Sequence, residues 1–221
     1  MTSTRALLML IAGLAGTMGF SGCQTSAYYS VREKLGTPKR EILADRVEGA
    51  RESQQEAKAQ FGSALEQFLA VTKVDTGDLA TGYNQLAREL KLSEDRAKEV
   101  RDRIASVDSV AGALFDEWEA ELSQYASASL RDQSARQLRD TRARYESLAK
   151  TMQAAADRMD PVLTLLRDQV LFLKHNLNAR AVAGLGATSR ELERDVSRLI
   201  ADMERSIKEA DAFIRSIQNG S

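Results

Sequence analysis

The chain has 221 residues, with 31 Lys and Arg, 32 Asp and Glu, one His, one Cys, two Pro and 13 Gly. A single His and a single Cys exclude zinc fingers, paired redox cysteines and sites with several His ligands. So few Gly and Pro residues exclude a β-sandwich or a βαβ fold, which needs a turn about every ten residues.

The N-terminal 22 residues are typical of a signal peptide. Arg5 supplies a positive charge, residues 6–20 form an uncharged apolar run shorter than a membrane span, and two small residues precede Cys23. Residues 20–23, Phe-Ser-Gly-Cys, resemble a bacterial lipobox with Phe at the position that Leu usually occupies. The resemblance implies a diacylglyceryl group on the Cys23 thiol, cleavage before Cys23 and acylation of the new amine.

The residue after Cys23 bears on the destination of such a lipoprotein. Gln24 stands where Asp would imply retention at the inner membrane, so the resemblance indicates the periplasmic face of the outer membrane, with the inner membrane as the alternative. Residues 23–36 are predicted to be the lipidated cysteine with a linker or short helix, and residues 37–221 a single helical domain. A free cysteine beside an ordinary cleavage site, or an uncleaved anchor, stays open.

Apolar residues then recur at alternating spacings of four and three, which predicts four long helices with heptad seams. Gln54 is the one polar interruption of the first seam. Pro161 is predicted to kink or restart the third helix. Ser129 with Asp132, and Thr188 with Glu191, are predicted capping boxes. The seams run from Leu43 to Val71, from Leu79 to Tyr125, from Leu138 to Asn176 and from Leu192 to Ile217.

These lengths predict an all-α fold, an elongated antiparallel four-helix bundle that extends into a two-helix coiled-coil stalk. At about 1.5 Å per residue, helices two and three are each about 70 Å long. The first helix is expected to cover about two thirds of the second, which leaves a stalk tipped by residues 126–130. Residues 163–177 are apolar on nearly all sides and are expected to be surrounded by other helices.

Charges are distributed unevenly along the predicted stalk. Folded about residue 128, acids near the end of helix two are expected to face arginines near the start of helix three and to fix the register. The arginines lack interleaved aromatic residues, which argues against a nucleic-acid site, whereas docking of a phosphate-bearing or acidic envelope partner stays open. The two sets are Asp116, Glu117, Glu119 and Glu121, and Arg131, Arg136, Arg139, Arg142 and Arg144.

Two groups of residues are candidate sites. Phe115 and Trp118 are candidate partner contacts, because a two-helix stalk is too thin to cover both side chains; packing within the stalk is the alternative. Gln169, His175 and Asn176 form a candidate polar pocket in the most apolar half of the third helix. A structural role is the alternative for these three, since a buried amide in a seam typically specifies register.

No catalytic residue, cofactor or metal site is predicted, and an enzyme is not expected. A di-iron bundle needs two Glu-x-x-His motifs, whereas Phe172 stands three residues before His175 and no second His exists. The chain has neither a GxxxxGK phosphate loop nor a GxSxG elbow. Catalysis by paired carboxylates is left open.

Three runs of the sequence carry a family resemblance: residues 167–180, RDQVLFLKHNLNAR; residues 113–119, ALFDEWE; and residues 45–47, DRV. They resemble an uncharacterised family of bacterial helical envelope proteins, catalogued only as a domain of unknown function. The resemblance covers most of residues 26–217. It implies a lipoprotein of coiled-coil type and implies no activity, substrate or catalytic residue.

The sequence therefore predicts a non-enzymatic, membrane-anchored periplasmic lipoprotein that acts as a structural spacer or partner-binding scaffold. Its expected partners are the membrane, through acylated Cys23, and a protein or a second copy of the chain, through the coiled coil. Nucleic acid is not an expected partner. The alternative function is a periplasmic carrier or chaperone that holds an envelope component around His175 and Asn176.

Overall fold

A computed structural model describes residues 38–73, 78–176 and 185–218, and this part of the chain forms four α-helices and no strand. The helices are α1 (Lys39–Val71), α2 (Leu79–Glu121), α3 (Ala128–His175) and α4 (Gly186–Gln218). A short 3-10 turn, Leu122–Gln124, follows α2. The predicted signal peptide, Cys23 and the segment 23–36 lie outside the described residues. The all-α prediction is confirmed.

The helices bury the seams that the sequence predicts. Because the spacing of four and three places apolar side chains along one side of a helix, that side packs inward. Every predicted seam position is buried over long stretches of each helix: Leu43 to Val71, Leu86 to Leu114, Leu148 to Leu166 and Leu192 to Met203.

The buried side of α4 shifts by one position toward its C-terminus. Ser206 and Phe213 are buried, whereas the predicted seam residues Ile207 and Ile214 are only half-buried. The buried positions keep the alternating spacing of four and three from Met203 through Ser206, Ala210 and Phe213 to Ile217. The predicted seam departed from this alternation, because it followed the isoleucines and placed two spacings of four in succession, from Leu199 to Met203 and from Met203 to Ile207.

The four helices form a closed antiparallel ring in which each helix packs against its two neighbours and α4 packs back onto α1. The core runs along the axis of this ring. Polar contacts between side chains cross all four helix interfaces: Gln60–Glu89, Arg101–Asp160, Arg158–Asp202 and Arg51–Asp211.

The first helix covers α2 almost to its end. Lys39 Nζ lies 2.6 Å from Glu117 Oε2, and the Arg40 guanidinium lies 5.0 Å from the centroid of the Trp118 ring. The expectation that α1 covers only about two thirds of α2 is therefore wrong, because α1 lies along α2 from Gly82, beside Val71, to Glu117, beside Lys39, and α2 ends shortly afterwards at Glu121. The structure shows four helices packed against each other and does not show a coiled-coil stalk.

The bundle has two ends, the hairpin end and the opposite end. The hairpin end contains the start of α1, the end of α2, the start of α3 and the end of α4. The hairpin tip, residues 122–130, projects from it. The opposite end contains the end of α1, the start of α2, the end of α3 at His175 and the start of α4.

Pro161 neither breaks nor restarts α3, which runs continuously from Ala128 to His175. The proline ring removes the hydrogen bond that the carbonyl of Asp157 would accept within the helix. Asp157 is exposed, so water can take the place of the missing donor. The predicted restart at Asp160 is therefore wrong, and the alternative, a kink at Pro161, stays a prediction.

Helix starts differ from the predicted capping boxes. α3 begins at Ala128, and the Oγ of Ser127 accepts a 3.4 Å hydrogen bond from the backbone N–H of Leu130. The cap thus lies two residues before the predicted Ser129, because the sequence offers serines at both positions. α4 begins at Gly186, which places Thr188 inside the helix.

Candidate interaction surfaces

Phe115 lies in an aromatic cluster at the hairpin end. Its side chain is 5% exposed, and its ring centroid lies 5.5 Å from that of Tyr145. The Tyr145 ring in turn lies 6.1 Å from Phe213 of α4, and the Arg142 guanidinium lies 5.3 Å from the Phe115 ring. The sequence predicts exposure of Phe115 because a two-helix stalk is thin. Phe115 is buried instead, because α1 and α4 also reach this part of α2. A direct partner contact through Phe115 stays a prediction.

Trp118 joins three helices. Its Nε1–H donates a 2.8 Å hydrogen bond to the Oγ of Ser134 on α3, and Ser134 is itself buried. The Arg40 guanidinium of α1 lies over the indole face, an arrangement that favours a cation–π contact. The half-buried ring therefore has a structural role, and its role as a partner contact stays a prediction.

The hydroxyl of Tyr145 adds a polar contact to the aromatic cluster. It donates a hydrogen bond to Oδ1 of Asp108 on α2. Burial of the ring, followed by this hydrogen bond and the negative charge of Asp108, raises the pKa of Tyr145 above its ordinary value. The contact therefore depends on a neutral tyrosine.

The arginines of α3 do not face a row of acids as predicted. Of the five arginines predicted to do so, only Arg142 forms an ion pair with α2 within the described ranges, at 3.0 Å from Glu119. Glu117 instead binds Lys39, because α1 lies beside α2 at this level. Arg136 and Arg139 are exposed and have no ion-pair partner in the part of the chain that the structure describes.

The candidate polar pocket residues lie along the last turns of α3. His175 is exposed, and Gln169 is half-buried. Asn176 caps the helix: its backbone N–H donates to the carbonyl of Leu173 at 3.1 Å, and its Nδ2 donates to the carbonyl of Phe172 at 2.9 Å. The structure thus explains Asn176 as a cap, and a ligand pocket formed by these residues stays a prediction.

The apolar end of α3 is not surrounded on all sides. Leu166 and Leu173 are fully buried, but Leu171 is 57% exposed and Phe172 is 44% exposed. In a ring of four helices, α3 contacts α2 and α4, and its outer side faces water. Two adjacent large apolar side chains on that outer side are a candidate contact surface. The sequence indicated this surface, because residues 163–177 have apolar side chains on more sides of α3 than two neighbouring helices can cover.

A buried amide lies on α1 in place of the two predicted on α3. Gln54 is 1% exposed, and among the described residues neither its Nε2 nor its Oε1 has a hydrogen-bond partner. Within the same part of the chain, the hydroxyl of fully buried Ser206 on α4 also has no partner. Such groups lose their hydration without a replacement and reduce the stability of the fold. The sequence marked Gln54 only as an interruption of the seam.

Side-chain chemistry elsewhere is sparse. Across residues 38–73, 78–176 and 185–218, no group of three or more His, Cys, Asp or Glu side chains could hold a metal ion. No helix within those ranges is long and apolar enough to cross a membrane. An open groove of about 460 Å³ lies between α3 and α4 at the hairpin end, and its lining includes Ala143, Ser147, Ala212 and Phe213.

The sequence matches the family described as "Protein of unknown function (DUF2959)" over residues 28–217. The match covers most of the chain, so the chain belongs to this family. No curated protein and no solved structure is significantly similar to it.

Proposed function

We propose that this member of the DUF2959 family is a periplasmic lipoprotein, anchored to the outer membrane through Cys23, that acts as a rigid spacer and partner-binding scaffold rather than as an enzyme. The observation that carries the proposal is the position at which the N-terminal segment joins the bundle. Lys39 contacts Glu117 and Arg40 contacts Trp118, so the segment from Cys23 enters at the hairpin end.

The length of the bundle supports the spacer role. α3 has 48 residues, which corresponds to about 70 Å of helix. An anchor that joins the hairpin end leaves the opposite end far from the membrane. A closed ring with a continuous core resists bending, because every helix packs against two neighbours along its length.

The lipid anchor is tested by two substitutions. Cys23→Ala removes the acylated thiol, and we expect an unprocessed precursor that fractionates differently from the wild type. Gln24→Asp is the matched control: it keeps Cys23, and by the sorting resemblance it moves the processed protein to the inner membrane. Normal processing and membrane binding of the Cys23→Ala protein would contradict the anchor.

The elongated coiled-coil character of the bundle belongs to the same proposal. Small-angle scattering from the chain without its signal peptide is expected to give a particle with a long dimension of about 70 Å. A compact particle about 45 Å across, the size of an ordinary globule of this length, would contradict the spacer.

The exposed pair Leu171 and Phe172 supports partner binding at the opposite end. We assign this surface to a protein partner, since adjacent exposed apolar side chains on a helix are typical of contact surfaces. A photo-crosslinking residue in place of Phe172 should capture a discrete partner in cells. The control position is Leu92, 48% exposed on α2. Equal crosslinking from both positions would contradict a specific surface.

The alternative function is a carrier or chaperone for an envelope component. The groove between α3 and α4 favours it, because small side chains such as Ala143 and Ala212 line it beside Phe213. Native mass spectrometry of the purified protein tests this alternative. A co-purifying ligand that is lost in Ala212→Leu would support a carrier, and a mass equal to the acylated chain alone would count against it.

A further inference from the structure

The hairpin tip exposes apolar side chains beyond the end of the four-helix ring. Tyr125 is 39% exposed and Leu130 is 54% exposed. α1 begins beside Trp118, so the tip extends past the start of α1 by about eight residues, or about 12 Å of helix. The tip is therefore the part of the hairpin end that lies farthest from the middle of the bundle.

The N-terminal tether leaves the bundle at this same end. Residues 24–37 separate Cys23 from Pro38, and they span at most about 50 Å when fully extended. If Cys23 carries the acyl chains, the membrane lies within that distance of the start of α1. The hairpin tip points away from the bundle on that side, so among the described residues it lies nearest to the membrane.

The side chains of the tip suit a lipid surface. Tyrosine has an apolar ring and a polar hydroxyl, the combination that favours membrane interfaces. Arginines can extend their charged groups to lipid phosphates while their apolar stems stay lower. Three exposed arginines follow the tip: Arg131, Arg136 and Arg139. Asp132 pairs with Arg131 at 3.7 Å, and the other nearby exposed carboxylates include Glu121 and Asp140.

The lack of ion pairs at two of these arginines also favours contact with lipid phosphates. Arg136 and Arg139 have no carboxylate partner among the described residues, and Leu138 between them is buried. Their side chains therefore lie on the outer side of α3. At about 1.5 Å per residue they stand about 12 and 16 Å along α3 from Ala128, which is within reach of headgroup phosphates when the tip enters the interface.

We propose that the hairpin tip is a second membrane contact, in which Tyr125 and Leu130 enter the headgroup region of the bilayer that holds Cys23 and the arginines bind lipid phosphates. The inference rests on the proposed lipid anchor. Two attachment points orient the bundle, because a single point of attachment leaves its angle to the membrane free. The opposite end, with Leu171 and Phe172, is then held at a fixed height.

The test uses the acylated protein in vesicles of phosphatidylethanolamine and phosphatidylglycerol. Acylation blocks Cys23, the single cysteine of the chain, so Leu130→Cys supplies the one reactive thiol for an environment-sensitive fluorophore. Leu92→Cys is the matched control, with a similar exposure of 48%, and lies about 45 Å from the end of α2. Both sites are exposed, so neither change disturbs the core.

The expected result is a blue-shifted emission from position 130 and quenching by lipids with spin labels on their acyl chains, several times stronger than at position 92. Vesicle flotation is measured on the same samples. A protein that floats with the vesicles and shows equal, weak quenching at both positions would overturn the membrane contact while leaving the anchor intact. A protein that does not float would overturn the anchor and, with it, this inference.

Discussion

The two ends of the bundle differ in whether they bury an apolar run of the sequence. The hairpin end contains an apolar run around Phe115, whose ring is 5% exposed, and the opposite end contains an apolar run around Phe172, whose ring is 44% exposed. Phe115 lies on the side of α2 that faces the core of the bundle, where it packs against Tyr145. Phe172 lies on the outer side of α3. The difference shows that angular position relative to two neighbours, rather than local hydrophobicity, decides burial.

This comparison assigns different tasks to the two ends. At the hairpin end, contacts such as Trp118 with Ser134 and Lys39 with Glu117 join the start of α1 to its neighbours. At the opposite end, apolar area stays on the surface, where it costs little stability. Under the proposed function, the first end holds position and the second end holds a partner.

The largest expected effect comes from a pair of matched substitutions. Phe115→Ala should lower the free energy of unfolding by about 3–5 kcal/mol, because it removes a buried ring and leaves a cavity. Phe172→Ala should lower it by less than about 0.5 kcal/mol, as for other surface positions. Urea unfolding followed by circular dichroism measures both. Similar losses for the two variants would break the comparison between the ends.

The middle of the bundle differs from both ends, because a buried polar side chain lowers its stability. Gln54→Met keeps the side-chain shape and removes an amide that has no hydrogen-bond partner in the part of the chain that the structure describes. We expect the free energy of unfolding to rise by about 1–3 kcal/mol, the cost of an unsatisfied buried polar group. Gln60→Met is the control: Gln60 Nε2 donates a 2.6 Å hydrogen bond to Glu89, so this change should not stabilise. Destabilisation by Gln54→Met would indicate that the amide has a partner in solution.

Much of the fold could be predicted from the sequence, since a seam such as Leu43 to Val71 depends only on local spacing. The length of overlap between helices could not, because it depends on where regular helix ends, and the 3-10 turn Leu122–Gln124 shortens α2. The burial of the candidate site residues was harder to predict. The exposure of Phe115 and Phe172 depends on neighbouring helices that the pattern of one helix does not describe.

A double-mutant cycle tests how the hairpin end is fastened. Trp118→Phe removes the N–H donor and keeps an aromatic ring, and Ser134→Ala removes the acceptor. The coupling free energy between the two changes should be about 1 kcal/mol, typical of a hydrogen bond between partly buried groups. Because the chain has one Trp, unfolding is followed by circular dichroism rather than fluorescence. Purely additive losses would show that packing alone holds Trp118.

The smallest expected effect at neutral pH concerns Tyr145 and its hydrogen bond to Asp108. Tyr145→Phe should cost about 0.5–1 kcal/mol near pH 7. The pKa of Tyr145 is raised in the folded protein, chiefly by burial, so its contribution is complete below the unfolded pKa of about 10 and is lost as the pH rises above it. The wild type should therefore lose stability more steeply than Tyr145→Phe above about pH 10. Asp108→Asn, which keeps an acceptor without the negative charge, should reduce that slope. Parallel alkaline curves for all three proteins would show that the hydroxyl is solvated and that this contact adds nothing to the hairpin end.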